Sequence, residues 1–181
     1  MLSDTLQLAV DRRTPQGLNK RMENHLPSRI LSGGQTGADR AALDVALELG
    51  IACGGWVPRG RQAEDGRIPE RYPNLVEADS PVPDVRTELN VRDSDATLII
   101  SRSALMEGSA YTGARAEKQC RPYRHVDLSE MARGDAVEDI RTWLAKVRPD
   151  VLNVAGPRAS GDAEIYELAR AVLMDALLPR I

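Results

Sequence analysis

The chain alternates short apolar runs with longer stretches in which apolar residues recur at helical spacing. The apolar runs predict strands at residues 29–32, 51–57, 96–101, 122–128 and 151–155. The stretches between and after them predict helices at residues 37–49, 84–93, 112–119, 135–148 and 162–178. This alternation is typical of a parallel sheet covered on both faces. We therefore predict an α/β fold, with an open parallel sheet of about five strands and helices on both faces.

Two segments depart from this alternation. Residues 1–28 are weakly patterned and broken by proline and glycine, so we predict an arm that is weakly structured or covers a partner. We expect residues 29–181 to form a single ligand-binding domain. Residues 58–81 are polar and rich in glycine and proline, which is typical of a long functional or disordered loop. The charges at residues 60–72 fit a solvated loop, a lid over a site or a subunit contact.

Composition narrows the classes of partner. A net charge of −3 argues against a general nucleic-acid binder. The two cysteines and two histidines show no metal-ligand spacing, so we expect no protein-bound metal site. Cys53 and Cys120 lie far apart, and we expect reduced thiols in a cytoplasmic protein. Neither a basic leader nor an apolar run of about 18 residues is evident, so we expect no signal peptide and no membrane span.

Three predicted strands lead into loops that are rich in glycine or hydroxyl residues. These loops are SGGQTG at 32–37, EGSAYTG at 107–113 and AGPRASG at 155–161. Because the carboxyl ends of parallel strands meet at one edge of a sheet, we expect the three loops to converge there. Each loop alone also fits an ordinary strand-to-helix turn. Together, and with helices behind them, they predict a site for a phosphate-bearing ligand.

The first loop is neither a Walker A motif nor a GxGxxG motif, which argues against ordinary NAD binding. Arg158 lies beside a glycine turn and suits a bidentate phosphate clamp, with a salt bridge to a carboxylate as the alternative. The candidate binding residues are Gly33, Gly34, Gln35, Thr36, Gly37, Arg40, Gly108, Ser109, Thr112, Gly156, Arg158 and Ser160.

A reaction centre is less evident than a binding site. Neither a Ser-His-Asp nor a Cys-His arrangement can be argued from the sequence. His125 stands in the middle of a predicted strand and is interpreted as a core histidine. The charged and amide residues of RTELNVRDSDATLII, at 86–100, are interpreted as a structural network around the entry to the next strand.

Four blocks resemble the molybdenum cofactor carrier proteins. They are SGGQTGADRAALDVA, GGWVPRGRQAEDGRIP, RTELNVRDSDATLII and NVAGPRAS, which occur in this order between residues 32 and 160. The resemblance implies a Rossmann-like fold, a homo-oligomer such as a dimer or tetramer, and a role in holding or delivering the molybdenum cofactor. That ligand is a pterin with a dithiolene and one terminal phosphate. Molybdoenzymes are the recipients that this role implies.

The wider superfamily includes the DNA-processing protein A and the "lonely guy" nucleotide phosphoribohydrolases. Their catalytic loop resembles PGGxGT followed by a glutamate, and the similar stretch here is EGSAYTGARAEK. Gly108, Ser109 and Thr112 match that loop loosely, without the paired glycines, and Glu117 is the candidate catalytic glutamate. The resemblance thus implies two alternatives to a carrier: a nucleoside-monophosphate phosphoribohydrolase and a nucleotide-binding sensor.

The resemblance also bears on the order of the strands. In the superfamily, a strand that ends in a Gly-Ser-Arg-like loop precedes the SGG strand, whereas here VLNVAGPRAS, the stretch like it, lies near the C-terminus. We therefore predict a circularly permuted sheet of order 2-1-5-3-4, numbered along the chain. The strand at 151–155 would lie between those at 29–32 and 96–101. The alternative is sequential growth, with that strand at the edge.

Overall fold

Within residues 25–179, which the computed structural model describes, six parallel strands form the central sheet and a short antiparallel hairpin lies beside it. The strands are β1 Arg29–Leu31, β2 Ala52–Val57, β3 Gln62–Ala63, β4 Gly66–Arg67, β5 Leu75–Glu77, β6 Ala96–Ser101, β7 Tyr123–Asp127 and β8 Val151–Ala155. The sheet has the order β5-β2-β1-β8-β6-β7, and β3 pairs with β4. The predicted arm at 1–28 lies almost entirely outside the described residues.

Five helices flank the sheet in this described region: α1 Ala38–Leu49, α2 Pro83–Arg92, α3 Glu107–Lys118, α4 Arg133–Val147 and α5 Ile165–Leu177. Helix α5 packs against α1 and α4, whereas α2 packs against α3. The buried core between sheet and helices is aliphatic, with Ile30, Leu98 and Leu152 fully buried. The predicted Rossmann-like α/β fold is confirmed. Among residues 25–179, no helix is both long and apolar enough to cross a membrane.

The permuted strand order is also confirmed. Strand β8 pairs in parallel with β1, where Ile30 lies beside Leu152, and with β6, where Leu98 lies beside Val154. The hydroxyl of Ser32 reinforces the first contact by donating a 2.7 Å hydrogen bond to the carbonyl of Val154. The last strand of the chain therefore occupies the centre of the sheet. Its loop emerges beside the loop that follows β1.

The segment at 58–81 is more ordered than the loop that its composition predicts. Strand β5 pairs with β2 and adds a sixth strand at the edge of the sheet, so the predicted number of five was one too low. Ile68 and Tyr72 are buried in the core and anchor the segment between the hairpin and β5. The strands escaped prediction because they have only two or three residues each, too few for a periodic pattern to show.

Helix α3 begins at Glu107, five residues before the predicted start at 112. The whole stretch EGSAYTG, predicted as a loop rich in glycine and hydroxyl residues, is therefore the first part of a helix. Gly108 and Ser109 have low helix propensity, so the sequence pattern did not reveal the first turn of α3, which forms at the carboxyl edge of the sheet. The correction changes the chemistry of this stretch, because Gly108 and Ser109 now lie at a helix N-terminus, where unpaired N–H groups favour anions.

Candidate functional site

A cavity of about 1000 Å³ lies at the carboxyl edge of the sheet. Strand β6 contributes Ser101 to its wall, and β8 contributes Asn153 and Ala155. The loops after β1, β6, β7 and β8 line the cavity as well, together with residues of α2, the N-terminal turns of α3 and Asp39 of α1. The permuted sheet creates this arrangement, because it sets the loop after β8 between those after β1 and β6.

Most of the candidate binding residues line this cavity. Those in its wall are Gly33, Gln35, Gly108, Ser109, Thr112, Gly156, Arg158 and Ser160. The wall does not include Gly34, Thr36, Gly37, Arg40 or Glu117. The three predicted loops do converge, although the second of them is the first part of α3.

Arg40 and Gln35 bind the tip of the β3–β4 hairpin. The guanidinium of Arg40 donates to both carboxylate oxygens of Asp65, over 2.7 Å in one bond, and its Nε donates to the carbonyl of Gly34. The Gln35 side-chain oxygen accepts hydrogen bonds of 3.0 Å from the backbone N–H groups of Thr36 and Glu64. Residues predicted to bind phosphate, Gln35 and Arg40, therefore bind Glu64 and Asp65 of the hairpin instead.

Glu64 receives donors from two of the converging loops. Its carboxylate accepts hydrogen bonds from the hydroxyls of Thr36 and Ser160 and, over 3.0 Å, from the backbone N–H of Ser160. Desolvation raises the pKa of this carboxyl, but the hydrogen bonds from Ser160 and Thr36 and the charge of Arg158 outweigh it and hold the pKa below its usual range. Glu64, in an exposed turn, is therefore ionised at neutral pH.

A buried ion pair forms one wall of the cavity. Arg86, from α2, donates a hydrogen bond of 2.9 Å to Asp39, from α1. A Cβ atom on Gly33 would lie 1.4 Å from the Arg86 guanidinium, so only glycine allows the pair this position. Complete burial raises the pKa of Asp39, against the opposing effect of Arg86. Within residues 25–179, the buried Nε of Arg86 has no hydrogen-bond partner.

Arg158 is the most loosely held of the three arginines in the cavity wall. It is half exposed and lies 3.6 Å from the carboxylate of Glu107, the first residue of α3. By contrast, Arg102 donates two hydrogen bonds of 2.9 Å to Asp162 and a third to Glu164. The salt bridge considered as an alternative for Arg158 is therefore present, but it is long and exposed. It also shows that the guanidinium reaches the first turn of α3.

Ser101, the last residue of β6, and His125, in the middle of β7, form a polar pair. Their Oγ and Nε2 atoms lie 2.7 Å apart, and Ser101 also donates a 2.6 Å hydrogen bond to the carbonyl of Ser103. Because the serine proton points to Ser103, the imidazole acts as the donor in the pair. Desolvation lowers the pKa of His125, so the ring is neutral at pH 7. This orientation serves structure rather than nucleophilic attack by Ser101.

Glu117, the candidate catalytic glutamate, lies near the C-terminal end of α3, about 14 Å along the helix from Gly108 at 1.5 Å per residue. Its carboxylate accepts a 2.8 Å hydrogen bond from the hydroxyl of Tyr123. The structure therefore does not bring Glu117 together with the glycine loops.

The residues at 86–100 divide between structure and cavity. Asn90 bonds both the N–H and the carbonyl of Trp56, and Asp95 accepts hydrogen bonds from the backbone N–H groups of Asp150 and Val151. Arg86, Thr87 and Asn90 line the cavity, so Asn90 contributes to both.

Sequence reasoning did not single out Asp39, Glu64 or Glu107 as site residues. Glu64 and Glu107 nevertheless lay in stretches that the sequence had marked, the charged segment at 60–72 and EGSAYTG at 107–113. In residues 25–179, no group of three or more histidine, cysteine, aspartate or glutamate side chains could hold a metal ion.

The permuted parallel sheet and its polar cavity define a Rossmann-like protein with a changed chain order. The chain belongs to the circularly permutated YpsA SLOG family, whose pattern matches residues 30–177. It is 48% identical to a protein of known crystal structure from Syntrophus aciditrophicus SB, described as a putative molybdenum carrier protein. The two structures superimpose with a TM-score of 0.84 over 86% of this chain and 98% of that chain. No curated protein matches the sequence.

Proposed function

We propose that this protein binds the molybdenum cofactor, a phosphorylated pterin, in the cavity at the carboxyl edge of the sheet, and carries it. The observation that supports this most directly is the convergence of two glycine loops and the N-terminus of α3 around one cavity of about 1000 Å³. Cavities of this size accept ligands of cofactor dimensions. The 48% identical protein from Syntrophus aciditrophicus, described as a molybdenum carrier, supports the choice of ligand.

The phosphate of the ligand would lie between Arg158 and the first turn of α3. Arg158 already contacts a carboxylate there, that of Glu107, and an anion with a higher charge can replace it. Gly108 and Ser109 line the cavity at this end, where the helix N-terminus favours negative charge.

The pterin ring would lie deeper in the cavity, among buried polar groups. Arg86 offers its buried Nε, a donor with no partner in the described residues, and the pterin carries a ring carbonyl that can accept from it. Asn153 lines the same region and donates a 3.2 Å hydrogen bond to Thr97. These groups fit an amide-like ring edge, so the chemistry of the cavity agrees with the proposed ligand.

Titration of the purified protein with molybdenum cofactor and, separately, with AMP tests the proposal. We expect saturable binding of the cofactor, and an affinity at least tenfold lower in Arg158→Gln. Arg133→Gln is the matched control, because Arg133 is also a half-exposed arginine paired with a carboxylate, Asp175, but lies outside the cavity wall. It should bind within twofold of the unmodified protein. Absence of saturable binding of the cofactor would overturn the proposal, whether or not AMP binds.

We do not extend the proposal to hydrolysis of an N-glycosidic bond. That reaction needs a carboxylate beside the ribose, and Glu117, the candidate, lies outside the cavity wall and bonds Tyr123.

We further propose a cytoplasmic homo-oligomer that delivers its ligand to molybdoenzymes, with Cys53 and Cys120 as free thiols. Light scattering after size exclusion tests the assembly, and a mass of 19.8 kDa, that of one chain, would contradict it.

A further inference from the structure

The β3–β4 hairpin places a carboxylate where a ligand oxyanion could lie. Glu64, in the two-residue turn of the hairpin, accepts hydrogen bonds from Thr36 Oγ1, Ser160 N and Ser160 Oγ. We call these three donors the Glu64 seat. The Thr36 hydroxyl is oriented in turn by the backbone N–H of Ala159, at 3.0 Å. Donors from the loop after β1 and the loop after β8 thus converge on one negatively charged group.

The chemistry of the Glu64 seat is that of a phosphate site. Hydroxyl and backbone N–H donors beside a helix N-terminus bind phosphate oxygens as they bind carboxylate oxygens. Helix α1 begins at Ala38, directly behind Thr36. Arg158 adds a positive charge close enough to lower the pKa of Glu64.

A second, smaller cavity borders Glu64 and shares lining residues with the proposed ligand cavity. It has a volume of about 200 Å³ and is lined by Glu64 and the hairpin residues Gln62 and Ala63. Arg86 and Arg158 line both cavities. Ser160, which supplies two donors of the Glu64 seat, also lines the larger cavity, so a ligand there borders both the seat and the shared Arg158.

The hairpin is held firmly at its base and only by polar contacts at its tip. At the base, Arg61 is buried and donates to the carbonyls of Ile68 and Pro69, and Ile68 belongs to the core. At the tip, Glu64 and Asp65 are exposed and contact the rest of the protein through hydrogen bonds and ion pairs. Such exposed contacts can exchange with an incoming anion or with water.

We propose that the Glu64 seat is a second oxyanion-binding subsite, which the protein's own Glu64 carboxylate fills until a ligand phosphate displaces it. The inference rests on the proposed function for the identity of the main ligand, but the subsite has its own chemistry. With Arg158 shared between the two positions, the site suits a diphosphate group rather than a single phosphate. The hairpin then acts as an internal competitor that lowers the affinity for such groups.

Calorimetric titration with inorganic pyrophosphate tests the subsite directly, because this probe needs no pterin ring. We expect Glu64→Ala to bind pyrophosphate at least tenfold more tightly than the unmodified protein, because the seat is then vacant and its repelling charge is gone. Glu70→Ala is the matched control, an exposed glutamate in the same segment that pairs with Arg67 and lies outside both cavities. It should leave the affinity for pyrophosphate unchanged.

A second variant tests whether the increase in pyrophosphate affinity comes from binding at the Glu64 seat. Adding Ser160→Ala to Glu64→Ala should reduce the increase, since it removes the Ser160 hydroxyl, one of the three donors, and keeps the backbone N–H. Should Glu64→Ala fail to fold, as judged by circular dichroism, Glu64→Ser serves in its place, because its short side chain also leaves the seat vacant. Equal pyrophosphate affinity in the folded Glu64 variant and the unmodified protein, including no binding by either, overturns the inference.

The outcome is separable from the test of the proposed function. If the protein binds molybdenum cofactor but the Glu64 variant gains nothing for pyrophosphate, only the subsite fails. If the variant gains affinity for pyrophosphate but no form binds the cofactor, the proposed function fails and the subsite stands.

Discussion

Arg86 donates a 2.9 Å hydrogen bond to Asp39, and the pair lies against the backbone of Gly33. The pair links α1 to α2 beside the C-terminal end of β1, and its Arg86 places a positive charge in the cavity wall. Charged groups seldom lie this deep unless they are paired, and here the sequence provides both a partner and a glycine that makes room for it. The same three residues thus set both the stability of this edge and the shape of the site.

Replacing Gly33 with alanine should displace the ion pair. The new Cβ would lie 1.4 Å from Arg86 Nη1 and 2.8 Å from the Asp39 carboxylate, so the guanidinium must move. We expect the free energy of unfolding to fall by about 1–3 kcal/mol, as for other overpacked sites. Urea denaturation measures the change. An unfolding midpoint equal to that of the unmodified protein would show that the pair adjusts without cost.

Replacing Gly108 with alanine should affect binding without loss of stability. A Cβ on Gly108, in the first turn of α3, meets no atom within 4 Å, and alanine favours the helix. The methyl group would project where the proposed phosphate approaches the helix N-terminus, so we expect at least a tenfold lower affinity for the cofactor.

The matched control for this variant is Gly134→Ala. Gly134 is likewise the second residue of a helix, α4, and also has open space around it, but it lies outside the cavity wall. It should bind the cofactor like the unmodified protein. Unchanged affinity in Gly108→Ala would mean that the phosphate does not approach α3.

Removing Asp39 alone should be more costly than removing the whole pair. Asp39→Ala leaves the largely buried Arg86 without its carboxylate, and losing one partner of a buried ion pair costs about 3–5 kcal/mol. The double variant Asp39→Ala/Arg86→Met also removes the charge that is left over, so it should recover part of this loss in urea denaturation. A double variant no more stable than Asp39→Ala would contradict this account.

The architecture and the convergence of the loops could be predicted from the sequence, but the hydrogen bonds that the loop residues make could not. The position of β8 followed from a resemblance, because VLNVAGPRAS is like the superfamily stretch whose strand precedes the SGG strand. The assignment of Thr36 and Arg40 to phosphate overlooked the carboxylates of the same chain. A hydroxyl or guanidinium group donates hydrogen bonds to a carboxylate as readily as to a phosphate. Whether such a donor binds a carboxylate depends on where the β3–β4 hairpin lies. The two strands of this hairpin have two residues each, so tertiary contacts rather than a local sequence pattern decide their pairing.

A final prediction concerns Tyr166, which donates a 2.7 Å hydrogen bond from α5 to the carboxylate of Asp44 on α1. Burial and the neighbouring carboxylate raise the pKa of Tyr166 from its usual value of 10.0 to about 12. The native state therefore keeps a phenolic proton that the unfolded chain releases near pH 10. The stability that this retention provides is complete below pH 10 and is lost as the pH rises toward 12.

Tyr166→Phe has no proton to retain, so the difference in free energy of unfolding between the unmodified protein and this variant should be constant from pH 7 to pH 9 and shrink above pH 10. Two pKa units correspond to about 2.7 kcal/mol at most, and screening around this half-buried ring reduces the expected change to about 1 kcal/mol. Urea denaturation at a series of pH values measures it. Repeating the comparison with Asp44→Ala in both proteins should weaken the effect, because the carboxylate is one of its causes. A difference that stays constant above pH 10 would show that the Tyr166 proton is not held by the fold.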